Sequence, residues 1–112
     1  MSTDTDIVVY VEESEFDVLL NGSEEKVVVV DFTATWCGPC RLVSPLMDQL
    51  AQEYKGRAKV VKVDVDNNKP IFKKFGLRSI PAVLIFKDGI LAETIVGVSP
   101  YEDFSNAVQK LV

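Results

Sequence analysis

The chain of 112 residues predicts an α/β layer fold, with a mixed central sheet flanked by helices on both faces. Three observations carry this expectation. Val27 to Thr33 and Ala58 to Val65 are largely continuous apolar runs, as in parallel strands covered on both sides. Between them Leu42, Leu46, Leu50 and Tyr54 recur beside Val43, Met47 and Ala51, which is an amphipathic helical stripe. Later, Ala82 to Phe86 and Ile90 to Val96 flank Asp88-Gly89, a hairpin signal that brings an antiparallel pair into the sheet.

The elements follow in order. Ile7 to Val11 reads as a first strand. Ser14 is placed to cap a helix, with Asp17 completing an imperfect capping box and Asn21-Gly22 supplying a left-handed stop. The longest helix starts near Cys37 and runs to about Tyr54. Pro45 inside it removes a backbone donor and predicts a kink. Asn67-Asn68-Lys69-Pro70 opens a short helix through Ile71, Phe72 and Phe75 that Gly76 ends. Ser99-Pro100-Tyr101-Glu102 offers an N-cap, a proline at the first helical position and a capping box for a last helix carrying Phe104, Val108 and Leu111. The order β-α-β-α-β-α-β-β-α gives a parallel portion early and an antiparallel one late. No repeat or linker divides the chain, so residues 1–112 read as one domain.

Composition removes several function classes. Hydrophobic residues make up 47% of the chain, too many for a disordered protein. The apolar run Ile80 to Phe86 is too short to span a bilayer, so no membrane association is expected. Met1 to Asp6 carries acids and no base, unlike a secretory signal or a transit peptide, and a cytoplasmic location is the expectation. A net charge of −5 argues against general nucleic-acid binding. Acids crowd residues 1–25, which hold no Lys or Arg, and bases gather from Lys55 to Arg78. Two solvated faces of opposite sign explain this; steering of a charged partner is the alternative. The absence of histidine excludes a Cys-His pair, a Ser-His-Asp triad and a His-ligated metal. Two cysteines cannot complete a four-thiolate zinc site, so no metal is expected.

Trp36-Cys37-Gly38-Pro39-Cys40 holds the only tryptophan and the only two cysteines. Thiols two residues apart can meet across one turn and close a small ring. Where a strand gives way to a helix, unpaired N–H groups and the macrodipole stabilise a thiolate on the first of them. Such a pair points to a protein that exchanges a disulfide with other molecules. A purely structural disulfide is the alternative, but a ring this small constrains little of the unfolded chain. Asp31 stands alone among valines, where burial raises a carboxyl pKa and costs stability unless the group is paired.

These residues resemble the thioredoxin family. Val30-Asp31-Phe32-x-Ala34-x-Trp36-Cys37-Gly38-Pro39-Cys40, then Pro45, Ile80-Pro81 and Val96-Gly97 match it in order and spacing over essentially the whole chain. The resemblance implies a thioredoxin-like fold and a protein-disulfide reductase with no bound cofactor. It implies that Cys37, the more exposed thiol, is the nucleophile, that Cys40 resolves the mixed disulfide, and that the two close a Cys37–Cys40 disulfide. Gly38 and Pro39 shape the loop between them. Asp31 becomes the proton acceptor for Cys40, through a water, although a satisfied structural aspartate is the other reading. Lys62, among Val60, Val61, Val63 and Val65, either modulates Asp31 or snorkels its charge outward. Pro81 is expected after a cis peptide bond. Trp36, Ile80, Pro81, Val96 and Gly97 would form an apolar docking groove, with Trp36 as a core aromatic and Gly97 as a turn residue the alternatives.

The family likeness further implies a monomer, re-reduced by a thioredoxin reductase that is NADPH- or ferredoxin-linked, with disulfide-bearing proteins as clients. Two departures bear on partner choice. Thr33 stands where many members have a second tryptophan, and Ser79 where many have glycine. Rival readings are a binding subunit with an incidental dithiol, and an oxidase or isomerase; a measured reduction potential separates reductase from oxidase. A glutathione-dependent relative would have Pro-Tyr between its cysteines, where this chain has Gly38-Pro39.

Overall fold

A computed structural model describes residues 8–112. The chain alternates strand and helix as expected: β1 (Val9–Tyr10), α1 (Phe16–Gly22), β2 (Val27–Thr33), α2 (Cys40–Glu53), β3 (Ala58–Asp64), α3 (Lys69–Lys74), β4 (Ala82–Lys87), β5 (Ile90–Val96) and α4 (Tyr101–Gln109). The sheet order is β1-β3-β2-β4-β5. β1 and β2 run parallel to β3, whereas β4 is antiparallel to β2 and to β5. The sheet is therefore mixed, parallel where helical crossovers join its strands and antiparallel where the hairpin does.

Strand alternation sorts the core into two layers. Val27 and Val29 pack with Val43, Met47, Leu50 and Ala51 of α2, with Tyr54 just after it, and with Phe104, Ala107 and Val108 of α4. Val28, Val30 and Phe32 face the other way, toward Phe16 of α1 and Ile71 of α3. There Phe16, Phe75 and Phe86 form a mutual aromatic triangle with centroids 5.5–5.9 Å apart. A valine run with no polar alternation thus becomes a strand buried on both sides.

Several boundaries differ from expectation, each for a local reason. Ile7 lies outside the described residues, and β1 covers only Val9–Tyr10 before a short 3₁₀ turn at Glu13–Glu15. That turn is capped by Glu12 rather than Ser14, the Glu12 N–H donating to Glu15 Oε1 at 2.8 Å. Gly22 is not a left-handed stop. The Asn21 side chain satisfies the Asp17 carbonyl at 3.0 Å, and Ser23 leaves the helix in an extended conformation. α2 begins at Cys40, because Gly38 and Pro39 form a tight entry turn, with Arg41 and Leu42 donating to their carbonyls at 3.0 Å. The helix is continuous through Pro45, which is exposed. Pro100 is the flanking residue of α4 rather than its first helical one. It is held extended (ψ 153°), and no side-chain cap bond forms there. Gly76 does end α3 with φ 69°, and Asp88 (φ 52°) and Gly89 (φ 81°) make the tight hairpin turn.

The stripe on α2 is also narrower than the repeat implies, since Leu42 is 61% exposed. The buried line runs instead through Cys40, Val43, Met47, Leu50 and Ala51. This separates two substitutions. Phe104→Ala removes a fully buried ring and should cost about 3–5 kcal/mol. Leu42→Ala should change stability by no more than about 0.5 kcal/mol. Urea melts of both variants check this; a large loss at Leu42 would mean that the residue is part of the core.

Candidate active site

One end of the sheet gathers the chemistry. β2 ends at Thr33, in register with Asp64 of β3, and Phe32 pairs with Ala82 at the start of β4, which pairs in turn with Val96 near the end of β5. The loop after β2 therefore emerges beside the loop after β3, the residues before β4 and the turn after β5. These segments carry Trp36–Cys40, Asp66, Ile80–Pro81 and Gly97.

Cys37 and Cys40 are joined in a disulfide, with Cα atoms 5.3 Å apart. The Cys40 backbone N–H donates to Cys37 Sγ at 3.2 Å. Cys40 is the first residue of α2, so this donor is one of the N–H groups that a helix start leaves without an internal partner. It places partial positive charge beside the Cys37 sulfur, the setting in which a thiolate is stabilised.

One expectation needs correction. Cys37 does not stand out as an exposed thiol in this oxidised form: both cysteines are buried, Cys37 at 3% and Cys40 at 2% exposure. Both cysteines join the core layer that includes Phe32 and Ala34.

Trp36 is 66% exposed, so it is not a core aromatic. Its indole N–H donates to Asp66 Oδ2 at 2.8 Å, fixing the ring at the surface beside the cysteines. Asp66 is held in turn by its own N–H bond to Asp64 Oδ1 at 2.9 Å. The sequence reading missed Asp66; its signal was an acidic turn directly after a strand that runs parallel to β2.

The Ile80–Pro81 peptide bond is cis. Pro81 is buried, Ile80 half-buried and Val96 exposed. The Gly97 N–H donates to the Pro81 carbonyl at 2.8 Å, tying the two segments together. Gly97 has φ 91°, a conformation that disfavours any side chain even though open space surrounds the position. Ser79 is exposed and Thr33 half-buried. Beside the cysteines, Arg41 reaches back to the Thr35 carbonyl at 3.3 Å.

Asp31 lies in the middle of β2 and is 1% exposed. Its Oδ1 has no hydrogen-bond partner among the described residues. Burial pushes its pKa up to about 7; the Lys62 ammonium pulls it down and the Asp48 carboxylate pushes it further up. Lys62, in register with Asp31 on β3, is buried rather than snorkelled. Its ammonium donates to Ser44 Oγ on α2 at 2.5 Å. Ser44 and Asp48 are further residues the sequence reading missed. They sit at helical spacing from Cys40, on a helix predicted to cover the sheet.

Comparison with known proteins agrees with this geometry. The family model for thioredoxin matches residues 7–110. The chain is 48% identical over 83 residues to thioredoxin 1 of Synechococcus elongatus, covering 74% of this chain and 78% of that protein. It is 43% identical over 102 residues to the chloroplastic M-type thioredoxin of Pisum sativum, covering 91% of this chain but only 59%, less than two thirds, of that longer protein. Among solved structures, an N21Q mutant thioredoxin from Halobacterium salinarum superposes with a TM-score of 0.85 at 32% identity, over 95% of this chain and 91% of that one. The chain belongs to the thioredoxin family and is a thiol–disulfide oxidoreductase that reduces protein disulfides through the Cys37–Cys40 pair.

Proposed function

We propose that Cys37 is the nucleophile, Cys40 the resolving thiol and Asp31 the proton acceptor of this exchange. The observation that carries the reading is the Cys40 N–H aimed at Cys37 Sγ from the start of α2. The Cys37 thiolate attacks one sulfur of a client disulfide. The client S–S bond breaks, a mixed disulfide forms and one client sulfur leaves as a thiolate. Cys40 then gives its proton to Asp31 and attacks Cys37 Sγ. The mixed disulfide breaks, the second client thiolate departs, and two electrons have passed to the client. A carboxyl with a pKa of about 7 suits this task, because an acceptor works best when its pKa lies near the working pH.

Trp36, Ile80, Pro81, Val96 and Gly97 form the docking surface for an extended client segment, in this reading. The exposure of Trp36 and Val96 supports it. Gly38 and Pro39 set the entry turn, and Lys62 tunes Asp31. Residues 1–112 act as one domain and a monomer. A thioredoxin reductase, NADPH- or ferredoxin-linked, returns the disulfide to the dithiol. A reducing compartment is the setting for this cycle, and the cytoplasm is proposed. No helix among the described residues is long and apolar enough to cross a membrane.

Insulin reduction with a dithiol as electron source tests the roles. Cys37→Ser should abolish turnover. Cys40→Ser should instead accumulate a mixed disulfide with the client, visible on non-reducing gels and released by dithiol. Turnover by the Cys37 variant at the wild-type rate would overturn the assignment, as would equal trapping by a variant lacking both cysteines.

Asp31→Ala should separate stability from rate. The unfolded carboxyl titrates near 4 and the folded one at about 7, so the native state holds its proton more tightly. Folding stability is therefore highest below the unfolded pKa, falls as pH rises between the two values, and levels off above the folded one. Removing the carboxyl should stabilise the oxidised protein above neutral pH, by on the order of 3 kcal/mol, with little gain at pH 4. The resolving step should slow while mixed-disulfide formation is less affected. Denaturant melts across pH and stopped-flow reduction of a model disulfide measure both halves. A loss of stability at neutral pH, or an unchanged resolving rate, would contradict this account.

A further inference from the structure

We propose that Ser44 is a positioning residue: its hydroxyl holds the Lys62 ammonium against α2 and so keeps the Asp31 carboxyl unpaired. The inference rests on the reading of Asp31 as proton acceptor given above, and it adds the device that keeps that acceptor available.

The geometry is specific. Asp31 and Lys62 are register partners on adjacent parallel strands, so their side chains rise from the same face of the sheet. Adjacent strands lie about 4.8 Å apart, within easy reach for a lysine. The two nevertheless form no ion pair. The Lys62 ammonium donates instead to Ser44 Oγ at 2.5 Å, and Asp31 Oδ1 is left without a partner. A buried ammonium with a carboxylate in reach would ordinarily pair with it, so something must compete. The serine hydroxyl is the competitor. It offers a lone pair without adding a second negative charge beside Asp31.

The other groups around Asp31 do not explain the arrangement. Asp48 of α2 and Tyr10 of β1 are the further titratable groups that interact with it, and Tyr10 also interacts with Asp64 of β3. The Lys62 ammonium lies 6.0 Å from the Tyr10 ring centroid. β4 contributes Val83, the register partner of Asp31, which is apolar. Cys40 opens α2, and it and Cys37 carry no charge as a disulfide. Of these neighbours, only Ser44 accepts a hydrogen bond from Lys62.

With the hydroxyl removed, the ammonium should swing to Asp31 and favour its ionised form. A cation that close lowers a carboxyl pKa by about 1–3 units. The experiment follows the Asp31 carboxyl by NMR in oxidised protein labelled at aspartate carboxyl carbons, through a pH titration. Ser44→Ala should lower the Asp31 midpoint by about one pH unit or more. Ser44→Thr, which keeps the hydroxyl, should restore the wild-type midpoint. In a Lys62→Gln background Ser44→Ala should add no shift. An unmoved midpoint in Ser44→Ala overturns the proposal, and that result also covers an ammonium that turns to Asp48. An equal drop without Lys62 overturns it too, because the hydroxyl would then act directly. The pH profile of the resolving step is recorded on the same variants. A midpoint that falls while that profile stays fixed upholds the role of Ser44 and removes Asp31 as the base.

Discussion

Burial of β2 on both faces and pairing along both of its edges is the constraint from which the site follows. Val27 through Phe32 are all buried, with β3 on one side and β4 on the other. Such a strand cannot shift without breaking two ladders and two core layers. Whatever is attached to it is therefore held in place. The dithiol loop leaves its end, and Asp31 projects from its middle. The parallel partner β3 delivers Asp66 to the same end, while antiparallel β4 and β5 bring Pro81 and Gly97 there. Segments far apart in sequence meet because strand direction fixes which loops share an end.

Two opposite electrostatic settings lie on this frame. At Cys37 the backbone N–H of Cys40 favours negative charge on sulfur. At Asp31 burial disfavours negative charge on the carboxyl. The first brings a thiol toward ionisation, and the second holds a proton back. Neither setting needs a charged side chain at the cysteines themselves. Both come from where the backbone of α2 begins and from how completely β2 is covered.

The parts legible in the sequence were those governed by short-range rules. Asp88-Gly89 needs left-handed backbone at both residues, and the hairpin followed. The valine runs read as strands covered on both faces, and the two core layers around β2 bear this out. The cysteine pair, and its place between a strand and a helix, stood in five consecutive residues. What escaped depended on competition between neighbours. Ser99-Pro100 carries the letters of a cap, yet Pro100 stays extended and the cap bond is not made. Leu42 fits a four-residue repeat but falls off the buried face, which follows the 3.6-residue turn through Val43, Met47 and Leu50. The burial of Cys37 depends on how the loop after β2 packs against the Phe32 layer, which sequence spacing does not specify. Asp66, Ser44 and Asp48 are ordinary surface-type residues, and their partners are fixed only once strand register and helix rotation are known.

Asp31 shows why a destabilising residue can persist at the centre of such a sheet. Its backbone is satisfied by the ladders on both sides, so the strand forms without help from the side chain. The cost is confined to the carboxyl, and it is smallest when that group is protonated. On the proposed assignment the carboxyl becomes charged or neutral once in each cycle, as Cys40 gives up its proton and the pair is later reduced again. A pairing strong enough to hold Asp31 permanently ionised would stabilise the fold and remove its capacity to take a proton. Leaving Lys62 near but not bonded to it keeps both protonation states accessible. On that assignment the Oδ1 without a protein partner belongs to the same arrangement that lets the carboxyl take a proton.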